Sequence, residues 1–212
     1  MNTLTTNSLV SPAEVKDITI RTIKQMKEYL AEEERKKEEA TANNSIYVPA
    51  ESPFFFAVRI RSANKASPDI ISALKTLRLH RINTGTFVVN NKSSKSTLHL
   101  VRSYIAFGTL SLECIRNLLY TRGFCRHNGQ RKNITSKTLM ARFGGEINTV
   151  EEIVSALFLG RTNASAINKW LWPFHLNSPR KGFGGRKIKD FAEGGSTGDH
   201  GRYLTDLIQR ML

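Results

Sequence analysis

The spacing of apolar residues changes near residue 54, and the change divides the chain. Upstream, Val15, Ile18, Ile23, Met26 and Leu30 recur at helical spacing as a narrow stripe. Ser11-Pro12-Ala13-Glu14 just precedes it and reads as a helix start. The serine can cap, the proline suits the first helical position, and the glutamate stands where a capping box wants it. Beyond Leu30 the residues are charged, and Glu32/Lys36, Glu33/Lys37 and Arg35/Glu39 stand four apart. The helix is therefore expected to run on as a solvated rod to Asn43-Asn44. Residues 41–53, with Pro49 and Pro53, read as a linker.

From Phe54 the period falls to two. Phe54, Phe56, Val58 and Ile60 share one face and Arg59 and Arg61 the other, which predicts a half-buried strand carrying arginines outward. Ser67-Pro68 opens a helix with Ile70, Ile71, Leu74 and Leu77 inward. Asn83-Thr84-Gly85 is a turn into a strand over 86–90. Ser93 or Ser94 caps a second helix, with Leu98, Val101 and Tyr104 inward, and residues 104–108 form a third strand. Strand, helix, strand, helix, strand predicts an α+β unit, one sheet with helices on one face.

After Gly108 the pattern is helical. Ser111 caps a helix ending at Gly123, Asn128-Gly129 is a hairpin turn, and a helix after Thr135 stops at Gly144-Gly145. Thr149 and Glu152 frame a second capping box for a helix to Gly160, and a further helical piece carries Trp170. From Trp172-Pro173 onward the chain reads as loop-rich, closing in an amphipathic helix near 203–211. The glycines at 182, 184, 185, 194, 195 and 198 predict that residues 178–200 order only on a ligand.

Charge changes the picture. Residues 1–53 hold 7 Lys/Arg against 9 Asp/Glu, whereas residues 54–212 hold 25 against 9, a net of +16. Such a segment repels itself unless a polyanion lies beside it. The candidate phosphate-binding residues are Arg59, Arg61, Lys65, Lys75, Arg78, Arg81, Lys92, Lys95, Arg126, His127, Arg131, Lys132, Arg180, Lys181, Arg186, Lys187 and Lys189. Glycines among the last five let the backbone approach phosphates closely. Trp170, Trp172 and Phe174 are candidates for base stacking or for the core.

Other chemistry is poorly served. Asp69, Glu113, Glu151 and Glu152 stand at helix starts, where capping accounts for them. Cys114, Cys125 and His127 are too few for a zinc site, and two cysteines make no disulfide framework. The segment 179–187 lacks the Gly-Lys-Ser/Thr ending of a phosphate loop. No apolar run approaches the ~20 residues of a membrane span, and residues 1–10 carry no secretory pattern. The expectation is a protein without catalytic residues, metal, cofactor or small-molecule substrate.

Several motifs together resemble a known family. They are Phe56-Ala57-Val58-Arg59-Ile60-Arg61, Leu77-Arg78-Leu79-His80-Arg81-Ile82-Asn83-Thr84-Gly85, Tyr104-Ile105-Ala106-Phe107-Gly108 and, most specifically, Leu171-Trp172-Pro173-Phe174-His175-Leu176-Asn177-Ser178-Pro179-Arg180. They resemble the eukaryotic large-subunit ribosomal proteins numbered seven, of the universal family numbered thirty in bacteria. The resemblance implies a ferredoxin-like core with a three-stranded antiparallel sheet over 54–108. It implies an N-terminal helical arm over 1–53 and a mostly helical, loop-rich extension over 109–212. It also implies binding to large-subunit ribosomal RNA in the cytosolic ribosome, after assembly in the nucleolus. The alternative is a nucleolar assembly factor of the same family. The arm departs from the family, where it is long and strongly basic. Its net charge of −2 points to a neighbouring ribosomal protein, met through the 15–30 helix, at least as readily as to RNA.

Overall fold

Side-chain caps start several helices where the sequence places them, but Ser67 makes no side-chain cap bond, and the helix expected to start at Ser93 or Ser94 begins at Lys92 after Asn91, also without one. Ser11 Oγ accepts the Glu14 N–H and Glu14 Oε2 accepts the Ser11 N–H, opening α1 (Pro12–Ala42). Thr149 and Glu152 do the same for α6 (Val150–Leu159), which stops at left-handed Gly160. The computed structural model describes residues 11–43, 45–48, 50–64, 66–161 and 163–212. The helix end at Asn44, the linker residue Pro49, the candidate Lys65 and the segment 1–10 lie outside the described residues.

The central strand β1 (Phe54–Arg59) pairs antiparallel with β2 (Thr84–Val89) and β3 (Ile105–Gly108), with Phe56 opposite Phe87 on one side and Gly108 on the other. Helices α2 (Pro68–Thr76) and α3 (Lys92–Leu100) connect these strands. They cover the face of Ala57 and Ile105 with Leu74, Leu77, Leu98 and Val101. This is the expected α+β, ferredoxin-like arrangement.

Two expectations hold within residues 54–108 but not for the whole sheet. Beyond α2 and α3, helices of the extension cover the other face. Phe54, Phe56, Val58 and Ile60 pack under α4 (Leu112–Arg122), α6, α7 (Ala164–Trp170) and α8 (Leu204–Met211). Met26 of α1 joins the same core, and Tyr29 meets Phe158 edge-on at 6.4 Å. The apolar stripe of the arm is thus used on the protein's own body.

The sheet also has six strands, not three, in the order β6-β2-β1-β3-β8-β7. The added strands come from the extension: β6 (Phe174–His175) beside β2, then β8 (Gly195–Gly201) and β7 (Arg186–Asp190) running parallel beyond β3. A separate hairpin, β4 (Phe124–His127) and β5 (Gln130–Asn133), turns at Asn128-Gly129, both left-handed. It leads into α5 (Ser136–Phe143).

Of the glycines read as mobility, Gly185, Gly195 and Gly198 serve close packing, whereas Gly182, Gly184 and Gly194 adopt positive φ with open space around them. A Cβ on Gly198, whose φ is +93°, would strike the Asp190 carboxylate, and one on Gly195 would strike the Lys189 carbonyl. Around them Ser196 and Thr197 are buried and donate to the carbonyls of Gly185 (2.8 Å) and Lys189 (2.9 Å). His200 is buried and stacks on Phe191 at 4.1 Å, and Arg102 pairs with Asp190.

One side chain ties the extension to the core. Arg78 follows α2 with φ +59°, a left-handed conformation unusual outside glycine. Its guanidinium donates to the Leu171 carbonyl and to both the carbonyl and Oδ1 of Asn168, all at 2.9 Å. Asn168 in turn donates to the Phe87 carbonyl at 3.0 Å. Burial lowers the Arg78 pKa, yet guanidinium remains charged at neutral pH.

Gly198→Ala is expected to lower the unfolding free energy by about 1–3 kcal/mol, because an L residue is strained there and its Cβ meets Asp190. Urea denaturation measures this, and an unshifted midpoint would leave 195–201 loose in the free protein. Arg78→Ala is expected to cost about 1–3 kcal/mol through the carbonyls left unpaired. Exposed Arg81→Ala should stay within about 0.5 kcal/mol, which makes it the control for that measurement.

Candidate nucleic-acid interface

The candidate cations fall into separate groups. Arg59 does not point outward as expected. It is half-buried, with Nε donating to the Arg61 carbonyl (3.0 Å) and Nη1 to those of Leu79 (3.1 Å) and His80 (2.8 Å). A guanidinium so committed braces the turn after α2 rather than meeting solvent. Arg61 donates to the Ser103 carbonyl and lies 5.3 Å from the Tyr104 ring. Lys95 pairs with Glu51 at 2.9 Å, and Lys75 and Lys92 are exposed on α2 and α3.

The densest group surrounds the outer edge of β6. A cleft of about 450 Å³ is lined there by Arg78, His80, Arg81, Arg126, Lys169, Trp172 and His175, among others. Two further clefts adjoin it. Arg126 and Lys169 line all three, and His127 and Arg142 add charge and polarity to one of them. Among the described residues, no aspartate or glutamate lines any of the three. The β4–β5 hairpin supplies Arg126 and His127 from one side, and exposed Arg131 and Lys132 stand on its second strand. Arg131 stacks on Phe124 at 3.6 Å, which stiffens its guanidinium. Burial, with Arg131 and Arg81 nearby, holds the His175 pKa below its ordinary value, so this imidazole is neutral at pH 7.

Lys169, Arg142 and Trp172 were not among the candidate phosphate contacts. The signal for Lys169 was present: Ala164, Ile167 and Trp170 form the buried face of α7, and a lysine beside Trp170 must point away from it. The three aromatic residues separate. Trp170 is buried, edge-on to Phe143 at 5.4 Å, and Phe174 packs between Phe56 and Phe87. Trp172 is only half-buried and lines the cleft.

A second basic group lies at the far edge of the sheet. Arg186, Lys187 and Lys189 are exposed on edge strand β7, and Arg180 and Lys181 on the loop before it. Five strand spacings place the two edges roughly 24 Å apart.

Ion pairs consume little of this charge. Among the described residues of 54–212 they engage Lys95, Arg102 and Arg116, the last gripping buried Glu151 at 2.9 Å. Glu151 thus serves as a buried counter-ion rather than a cap, while Glu152 is the capping residue. Burial, then Asp206, pushes the Cys114 thiol up to about 12, so it stays protonated and unreactive at neutral pH. Cys125 is also buried, with Sγ near the carbonyls of Lys132 and Asn133. Among the described residues, no helix is long and apolar enough to cross a membrane.

The family model for ribosomal protein L30p/L7e matches residues 55–105, the segment that forms β1, α2, β2 and α3. Similarity to curated proteins extends much further. The chain is 38% identical over 186 residues to large ribosomal subunit protein uL30 of Encephalitozoon cuniculi, covering 88% of this chain and 78% of that one. It is 34% identical to the Drosophila melanogaster protein of that name, covering 93% and 80%. Against the Dictyostelium discoideum protein the identity is 36%, covering 89% and 80%. The extension that builds β6, β7 and β8 is thus shared with these relatives, and the chain belongs to the uL30 family of large ribosomal subunit proteins, a structural and non-enzymatic family.

Proposed function

We propose that this protein is a structural constituent of the cytosolic large ribosomal subunit and binds folded large-subunit RNA by neutralising its phosphates. The observation that carries the reading is the joined run of clefts holding Arg78, Arg81, Arg126, Arg142 and Lys169 without a carboxylate. Arg81, Arg126, Arg142 and Lys169 are exposed and meet backbone phosphates, while Arg78 adds its charge from the floor. The β7 group, Arg186, Lys187 and Lys189, takes a second stretch of RNA. Arg59 and Arg78 act chiefly by holding the surface in shape. Contacts of this kind position a backbone and read little sequence.

The arm contributes through its exposed acidic side. Lys24, Arg35 and Lys36 neutralise Glu28, Glu39 and Glu33 respectively. Glu32, Glu34 and Glu38 are exposed and have no ion pair among the described residues. That surface repels phosphate locally and suits a basic protein neighbour.

If roughly 6–10 phosphates are contacted, affinity for structured RNA should fall by about 10³–10⁵ between 50 and 200 mM salt. Lys169→Ala and Arg126→Ala should each reduce the slope of log affinity against log salt by about 1, measured by filter binding. Salt-insensitive binding would remove phosphate neutralisation as the main term. The triple change Glu32→Gln, Glu34→Gln, Glu38→Gln should leave affinity for naked RNA unchanged and reduce the protein's share in polysomal large subunits on sucrose gradients. Undiminished incorporation would exclude the arm as a protein-docking surface, and confinement of the unaltered protein to precursor particles would favour an assembly factor.

A further inference from the structure

We propose that the cleft beside Trp172 receives one unpaired nucleotide of the bound RNA, its base stacked on the indole and its flanking phosphates on Arg81, Arg126 and Lys169. The proposal rests on the phosphate-binding reading above and adds a specific ligand to it.

A face that only neutralises a regular RNA helix needs cations and no depth. This one has both. The cleft encloses about 450 Å³, within the range of about 300–1,000 Å³ that holds small ligands. Its wall combines Leu171, Trp172 and Pro173 with a ring of positive charge. Apolar, aromatic and cationic groups in one concave site fit a nucleotide, which is a flat ring joined to a phosphate.

The backbone that carries the indole is held in place. The Leu171 carbonyl accepts from Arg78 at 2.9 Å, and Leu171 bridges to Cys125. The Trp172 N–H donates to the Phe124 carbonyl at 2.9 Å. Two residues on, Phe174 pairs with Gly85 in the sheet. The backbone on either side of Trp172 is therefore fixed before any ligand arrives, and little freedom is lost on stacking. If the indole served only the core, it would be covered as Trp170 is. Trp172 is instead only partly covered and lines the cleft together with Arg78, Arg81, Arg126 and Lys169.

The polar groups around the cleft also suit a base. His175 lines it as a neutral imidazole whose Nδ1 faces Thr84 Oγ1 at 3.5 Å, while its Nε2 makes no hydrogen bond among the described residues. Beyond the cleft, Arg126 and Lys169 carry the basic surface into both adjoining clefts. A strand entering and leaving the site meets charge on both sides, which marks the ligand as part of a chain rather than a free mononucleotide.

The test uses the full chain and two RNA hairpins identical except for one unpaired nucleotide. Stacking of one base is worth about 1–3 kcal/mol, so the bulged hairpin should bind about 5–150-fold tighter than the perfect one. It should also quench tryptophan emission, and Trp172→Phe should abolish that change because the remaining Trp170 is buried. Trp172→Ala should bring the bulged hairpin down to the affinity of the perfect one with the salt slope unchanged, and Trp172→Phe should retain most of the preference. Equal binding of the two hairpins by the unaltered protein would overturn the proposal, as would an equal loss for both in Trp172→Ala. Quenching by a free nucleoside monophosphate as strong as by the bulged hairpin would overturn the assignment to RNA. Loss of salt dependence for both hairpins would instead overturn the phosphate-binding reading beneath it.

Discussion

A three-stranded sheet with helices on one side leaves its other side bare. Here that side carries Phe54, Phe56, Val58 and Ile60, all buried in the complete protein. Removing such a face from water at about 25 cal/mol per Å² outweighs any single polar contact in the molecule. The unit 54–108 cannot supply the cover, because α2 and α3 are already spent on the Ala57 face. The extension must therefore return across the sheet, and it does so with α4, α6, α7 and α8. Once it lies there, its remaining segments fall beside the two free sheet edges and pair with them as β6 and β8. The six-stranded sheet follows from the need to bury β1 twice.

The same return creates the basic face. Trp172 and His175 reach the β2 edge because β6 pairs there, and Lys169 because α7 packs just before it. Arg78 locks that junction from the core side through Leu171 and Asn168. Its left-handed backbone costs energy, and the three hydrogen bonds at its tip offset that cost. The geometry of the candidate interface and the integrity of the fold thus share one residue.

Much of this was legible before the structure. Ser11, Ser111, Thr135 and Thr149 cap helices as their local sequence announces, because a cap is settled within four residues. The Asn128-Gly129 turn is legible for the same reason. The β1–α2–β2–α3–β3 order follows from period alone. One local reading failed, since the helix expected to be capped by Ser93 or Ser94 starts at Lys92, and the other failures were long-range. Nothing near residues 195–201 tells a mobile glycine from one pressed against Lys189 or Asp190, since the partner lies in another strand. An arginine on a strand reads as outward, and the carbonyls that hold Arg59 inward come from a turn twenty residues away. Glu151 read as a cap until Arg116 met it. The cations were legible as a population, but their division between two sheet edges depended on a topology that no short window contains.

The carboxylates complete the account of charge. In the body several acids are committed locally. Glu151 holds Arg116, Glu152 caps α6, Glu146 accepts from Asn163, Asp190 holds Arg102 and Asp199 accepts the Gly201 N–H. None of them lines the clefts around Arg126 and Lys169. An acid so engaged stabilises the fold and is screened from the basic surface by its own partner. Acids without such partners stand on both parts of the chain, Glu32, Glu34 and Glu38 on the arm and exposed Asp69, Glu113, Glu193 and Asp206 on the body. The free acids of the body lie outside the three clefts, and the body presents two basic edges. Self-repulsion between those edges falls as they move apart, and a sheet six strands wide separates them by more than the ~8 Å screening length of physiological salt. The breadth that buries β1 on both faces also lessens repulsion within a body whose net charge is +16.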